Sequence, residues 1–129
     1  MSTFEIQIRV TEDHIDDLNH VNNVVYLQWV QEIANMHWDK LKDGKDTSAY
    51  VWVVLRHELD YAGQAVLGDE ITVKTWVGET SGIKSVRHVE FYKKEKLLVK
   101  TLTFWCLVDA KTLRPKRITG DILGILGLQ

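Results

Sequence analysis

The segment "FEIQIRV" sets Phe4, Ile6, Ile8 and Val10 on one side and Glu5, Gln7 and Arg9 on the other, the period-two alternation of a half-buried strand. A polar stretch from Thr11 to Asn19 ends that pattern, and from about Asn22 the period changes. Leu27, Val30, Ala34, Trp38 and Leu41 recur at helical spacing, opposite a polar stripe of Gln28, Gln31, Glu32, Asn35, Asp39 and Lys42. The pattern predicts a helix of about five turns before the loop "KDGKDTS". Val24, Val25, Tyr26, Trp29, Ile33 and Met36 add apolar surface at its remaining positions, so the helix is expected to be enclosed over most of its girth.

Beyond Tyr50 the chain reads as strands. "YVWVVLRHELDYA" is long and β-branched, "DEITVKTWV" and "KSVRHVEFYKK" alternate, and "KLLVKTLTFWCLVDA" is rich in Leu, Val, Thr and aromatic residues. The joints "GQAVLGD", "GETSG" and "KKEK" are short and turn-like, which predicts that consecutive strands are antiparallel neighbours. One helix and such strands make an α+β domain, and curling the sheet around the helix is the simplest way to bury it. The tail "TGDILGILGLQ" is read as a short closing helix, against the cost of its three glycines.

Composition narrows the class without changing this picture. At 129 residues the chain is expected to form a single domain over residues 1–129, long enough to bury a core without disulfides or a structural metal. A hydrophobic fraction of 45% and a charged fraction of 26% are those of a globular protein. The formal charge of −2 gives no reason to expect a nucleic-acid partner. The single Cys106 sits in the apolar run "LTFWCLV" and reads as a packing residue in a reducing compartment. The N-terminus lacks a signal-peptide pattern, and no run reaches the ~18 apolar residues of a membrane span. A cytoplasmic protein without a membrane partner is expected.

The chemistry-bearing stretch is "HIDDLNHVNNVVYLQWVQEIA", residues 14–34, where histidines, two adjacent carboxylates and three asparagines crowd against the start of the helix. Taken alone, Asp16 and Asp17 read as solvated acids or as complements to the helix dipole. Asn19, Asn22 and Asn23 are natural capping residues. The first turn of any helix also carries backbone N–H groups without internal partners, which favour negative charge. His14, Asp16, Asp17 and His20 include metal-ligand types, but no second ligand cluster at a recognised spacing accompanies them, so no metal is expected.

The order of strand, polar loop, "HVNNxxY", enclosed helix and antiparallel strands resembles the hotdog-fold thioesterases, specifically the 4-hydroxybenzoyl-CoA thioesterase family. The most specific part is "DDLNHVNNVVY"; "LDYAGQAVLGDEITVKTWV" and "VDAKTLRPKRI" extend the resemblance over nearly the whole chain. It implies a five- to six-stranded antiparallel sheet curled around one long helix, and hydrolysis of acyl-CoA to free acid and CoA. The family's loop reads Asp-x-Asp, its second Asp catalytic. Counting back from Tyr26 puts that position on Asp16, with His14 in the first. Thioester hydrolysis needs a carboxylate as nucleophile or general base, and a donor for the oxyanion. Asp16 is able to supply the first and the backbone N–H of Asn23 the second. His20 and Tyr26 are expected beside the substrate, His20 alternatively serving the loop backbone. Glu32 is a reserve carboxylate on the helix, since a related subgroup places a catalytic Glu there, and is otherwise a solvated residue.

The resemblance further implies coenzyme A as part of the substrate, with no separate cofactor. Its phosphates call for basic residues, and Lys84 with Arg87, or Arg114, Lys116 and Arg117, are the sets available. Two subunits are expected to join edge to edge as a homodimer, with pairing into a homotetramer, and to form each site at the interface. The loop around Asp16 would then face the partner's strand near His57 to Tyr61. The related plant acyl-carrier-protein thioesterases carry a similar "HVNN", so acyl-ACP hydrolysis and a non-catalytic acyl-CoA or lipid-binding module are the alternatives.

Overall fold

The computed structural model describes residues 3–128. Its elements run β1 (Thr3–Arg9), α1 (Asn23–Leu41), β2 (Tyr50–Tyr61), β3 (Glu70–Ser81), β4 (Lys84–Lys93), β5 (Lys96–Asp109) and α2 (Gly120–Ile125), with one turn of 3-10 helix at Glu12–His14. The strands form one five-stranded antiparallel sheet in the order β1-β3-β4-β5-β2. The sheet curls around α1, as the patterning demands.

Neighbourhood in sequence predicts neighbourhood in the sheet for β3, β4 and β5 but not for β2. That strand pairs with β5, from Tyr50 opposite Asp109 to Tyr61 opposite Val99, so the segment "GQAVLGD" crosses from the β2 edge of the sheet to β3, next to the opposite edge strand β1. The crossing is tied at its far end: Gly68 takes the left-handed φ of +87°, its N–H donates to the Val10 carbonyl, and the Val10 N–H donates to that of Asp69. The stretch "GETSG" is mostly strand. Pairing continues to Ser81 opposite Lys84 after a register shift past Val77, and Gly82, at φ +64°, makes the tight turn. Gly78 lies at the shift because a Cβ there would stand 2.6 Å from the His88 ring.

The helix buries one face rather than most of its girth. Tyr26, Trp29, Val30, Ile33, Ala34 and His37 are its buried residues, a stripe rotated from the one expected through Leu27, Trp38 and Leu41, which are only half-buried. Val24 and Met36 remain exposed. The sheet presents Ile71, Val73, Val89, Phe91 and Val99 to the N-terminal half of the helix. A second cluster, Tyr50, Val77, Leu107, Ile118, Ile122 and Leu126, seats α2 near the other end, with Trp38 and Trp52 against it.

A polar group lies in this interior. Arg87 and His37 are 6% and 1% exposed, and Arg87 Nη1 donates to His37 Nδ1 at 2.8 Å and to Thr75 Oγ1 at 3.1 Å. Burial, with the nearby Arg87 and Lys40 charges, holds the His37 pKa down to about 4, so the ring is neutral at physiological pH and Nδ1 accepts. Burial alone lowers Arg87 to about 10, which leaves it charged at neutral pH.

Two outcomes follow. Ile33 is fully buried, so Ile33→Ala is expected to cost about 2–5 kcal/mol in urea unfolding, with an unchanged denaturant slope. The unfolded chain protonates His37 near its ordinary 6.5 and the folded chain only near 4. Its contribution is therefore complete above the unfolded value and is lost as pH falls from about 6.5 through 4, at up to about 1.4 kcal/mol per pH unit. A pH series of unfolding curves should show that slope in the parent and a flatter one in His37→Gln.

Candidate active site

The start of α1 is fixed by its cap. Asn22 sits in extended backbone, its side-chain oxygen accepting from the Val24 N–H at 3.0 Å. The preceding loop is a small hairpin closed by a bridge between Ile15 and Val21. The Asp16 N–H donates to the His20 carbonyl at 2.9 Å and the Asn19 N–H to the Asp16 carbonyl at 3.0 Å. Asn19 turns the chain at a φ of +63°, a conformation asparagine tolerates better than most residues. The ends are anchored as well: Val21 N–H donates to the Ala65 carbonyl and Asn22 N–H to the His14 carbonyl. The His14 ring accepts from the Thr11 N–H at 2.9 Å and stands edge-on to Trp29.

Within this hairpin the Asp16 carboxylate is held from its own backbone. Oδ1 accepts from the Leu18 N–H at 2.9 Å and, more weakly, from the His20 N–H at 3.4 Å. Oδ2 meets no donor among the described residues. The loop therefore aims one carboxylate oxygen and leaves the other available. Asn23 is the first residue of α1, and its N–H likewise finds no acceptor among the described residues, as expected of a first-turn amide.

Asp16, His20, Asn23 and Tyr26 line one cavity of about 560 Å³, closed on its far side by Tyr61, Ala62, Gly63 and Gln64. Tyr26 is its buried floor, edge-on to Trp29, Tyr61 and Phe91. The Tyr26 hydroxyl makes no hydrogen bond of ordinary geometry. Burial raises its pKa, against a weaker lowering by the Ala65 backbone. Tyr61 reaches over the helix start, its hydroxyl donating to the Asn23 carbonyl at 3.3 Å. This wall, from the end of β2 to Gln64, is what a reading confined to residues 14–34 misses. The segment lies 38 residues beyond Asn23 in the chain, and only the crossing of "GQAVLGD" past the helix start brings it there.

The two basic residues expected on the substrate phosphates are not brought to this cavity. Lys84 is exposed at the opposite end of the sheet, opposite Ser81 and Cys106. On β5, Cys106 is seven residues from Val99, the partner of Tyr61, or roughly 23 Å. Arg87 corrects the surface role expected of it: it points inward from β4 and is buried on His37 and Thr75, because its position falls in the inward-facing alternation of Ser85, Arg87, Val89 and Phe91. Asp17 and Glu32 are exposed. Cys106 is buried, as expected.

Known proteins share this family and this fold. Residues 2–126 match the family described as the acyl-ACP thioesterase N-terminal domain. The chain is 23% identical over 128 residues to the long-chain acyl-CoA thioesterase FadM of Escherichia coli (strain K12), covering 92% of each. Its fold is similar to that of the Staphylococcus aureus protein SAV2348, solved in complex with CoA, with a TM-score of 0.87 and 17% identity over 98% of this chain and 82% of that one. It is also similar to the 12:0-ACP thioesterase of Umbellularia californica, with a TM-score of 0.84 and 19% identity over 97% of this chain and 49% of that one. With a family match that spans nearly its whole length and a sheet curled around one long helix, this chain belongs to the acyl-ACP thioesterase family and is a hotdog-fold thioesterase.

Proposed function

We propose that the protein hydrolyses acyl-CoA thioesters to the free acid and CoA, with Asp16 as nucleophile or general base and the Asn23 N–H polarising the thioester carbonyl. The observation that carries this reading is the cavity at the start of α1, where a backbone-held carboxylate and an amide without a partner line the same space. As general base, Asp16 takes a proton from the water that attacks the carbonyl carbon. As nucleophile, its free oxygen forms an anhydride with the acyl group, which water then hydrolyses. In either route the C–S bond breaks, the thiol leaves, and the developing oxyanion lies at a helix N-terminus, whose dipole favours it. His20 and Tyr26 bound the substrate from the loop and the floor. The E. coli relative acts on long-chain acyl-CoA, which supports the CoA carrier. The family match supports acyl-ACP as the second carrier, and the same acyl group presented on both carriers decides between them.

We further propose a homodimer joined through β2, with the cytoplasm as its compartment. β2 is an edge of the sheet, and Val51, Val53 and Leu55 are exposed along it, an arrangement soluble proteins normally cover.

Asp16→Asn keeps the shape of the side chain and both backbone donors. Thiol release from acyl-CoA is expected to fall at least about 100-fold with an unchanged circular dichroism spectrum; a folded variant working at the parental rate refutes the assignment, and a parent that binds acyl-CoA without releasing thiol establishes the binding-module alternative. Light scattering is expected to give a dimer for the parent and a monomer for Val53→Lys, and a monomeric parent removes the interface.

A further inference from the structure

Another cavity lies toward the other end of α1. It has a volume of about 360 Å³, and its lining includes Trp38, Tyr50, Trp52, Trp105, Ser85 and Arg87. Ala34, where it begins on the helix, is 11 residues beyond Asn23, about 16 Å along the axis. It is therefore separate from the Asp16 cavity of the same chain, and its size is at the lower end of small-molecule pockets.

Three features of this cavity point to a missing partner of definite chemistry. Arg87 is a buried cation, and no carboxylate pairs with it among the described residues: the ion pairs there join Arg9 to Glu70, Lys42 to Asp39, Arg56 to Glu58 and Lys93 to Asp69. Among the described residues only Nη1 is engaged, by the neutral acceptors His37 and Thr75, and the other edge of the guanidinium fork is open. An uncompensated buried charge is among the most costly features a fold can carry. Second, among the described residues the Tyr50 hydroxyl and the Trp105 indole N–H are buried without hydrogen-bond partners, and Tyr50 is 8% exposed. Buried polar side chains are ordinarily satisfied, so two unpaired ones lining the same cavity indicate an absent acceptor. Third, the walls are aromatic: Trp38 stands edge-on to Trp52 at 6.0 Å, with Tyr50 at 6.4 Å. Lys42, paired with Asp39, also lines it. Two acids, Asp46 and Asp121, act on Tyr50 but are themselves exposed to solvent, where screening weakens them.

We infer that this cavity is a binding site for a monocarboxylic acid with an apolar or aromatic body, its carboxylate on the open guanidinium fork of Arg87 and its body between Trp38, Trp52 and Trp105. A carboxylate supplies two oxygens to the fork, accepts further from Tyr50 or Trp105, and neutralises the buried charge. Within one chain the inference stands apart from the hydrolase reading, since no residue is shared with the Asp16 cavity; Val51 of the β2 edge proposed as the dimer interface also borders it.

Three tryptophans line the site, so binding is read directly from intrinsic fluorescence of the full chain. Octanoate and 4-phenylbutyrate are the probes, each compared with its primary amide, which keeps the body and removes the charge. Saturable change is expected with the acids, with the amides at least about ten-fold weaker, the usual worth of a hydrogen bond to a charged group. Arg87→Met should abolish the preference for acid over amide, and Asp16→Asn should bind the acids as the parent does. Should Arg87→Met fail to fold, the acid and amide series on the parent and the folded Tyr50→Phe variant still decide. Equal binding of acid and amide, no saturable change at low-millimolar acid, or full retention in Arg87→Met overturns the site. A loss of hydrolysis in Asp16→Asn with acid binding intact separates this proposal from the enzymatic one.

Discussion

The packing of α1 into the concave face of the sheet is the constraint on which the other features depend. Trp29, Val30 and Ile33 are locked against Val73, Val89 and Phe91, and that contact fixes the helix in position and rotation. A helix fixed in position has a fixed beginning, and unsatisfied amides are a property of helix beginnings whatever the side chains. The fold thus delivers an electropositive point at one place on the sheet's rim. The hairpin 15–21 is tied back to the same rim through the Val21–Ala65 and Asn22–His14 bonds. Carboxylate and amide are held relative to one another by backbone, with few rotatable bonds between them.

The parts legible in the sequence were those governed by a local period. The alternation in residues 4–10, the long helix capped at Asn22, and the strands through "EITVKTWV" and "SVRHVEFY" all appear where the pattern places them. The loop carboxylate and the helix start also emerge together, because only five residues separate Asp16 from Asn22. What escaped the pattern was set by long-range pairing. Nothing local in "GQAVLGD" distinguishes a hairpin from a crossing over the sheet, so β2 fell in the wrong neighbourhood, and the same chain's Tyr61–Gln64 wall went unseen.

Arg87 shows the same limit from another side. In "KSVRHVEFYKK" it is one cation among four, and a cation between strand residues reads naturally as surface. Its parity in the strand places it inward with Val89 and Phe91, and acceptance of that parity required knowing that His37 waits on the facing helix, 50 residues earlier. His37 itself was hidden in a helix face judged by its aliphatic residues. Polar groups at inward positions are the exceptions to binary patterning, and they concentrate where a protein does something other than pack.

The crossing connection has a consequence for biosynthesis. β2 is complete at Tyr61, yet the strand that receives it ends at Asp109, with Tyr50 opposite that last residue. A chain emerging in order from the ribosome must hold Val51, Val53 and Leu55 without a sheet neighbour while β3, β4 and β5 are still being made. Closure waits on the final third of translation, and the nascent protein meanwhile presents an adhesive edge to whatever surrounds it.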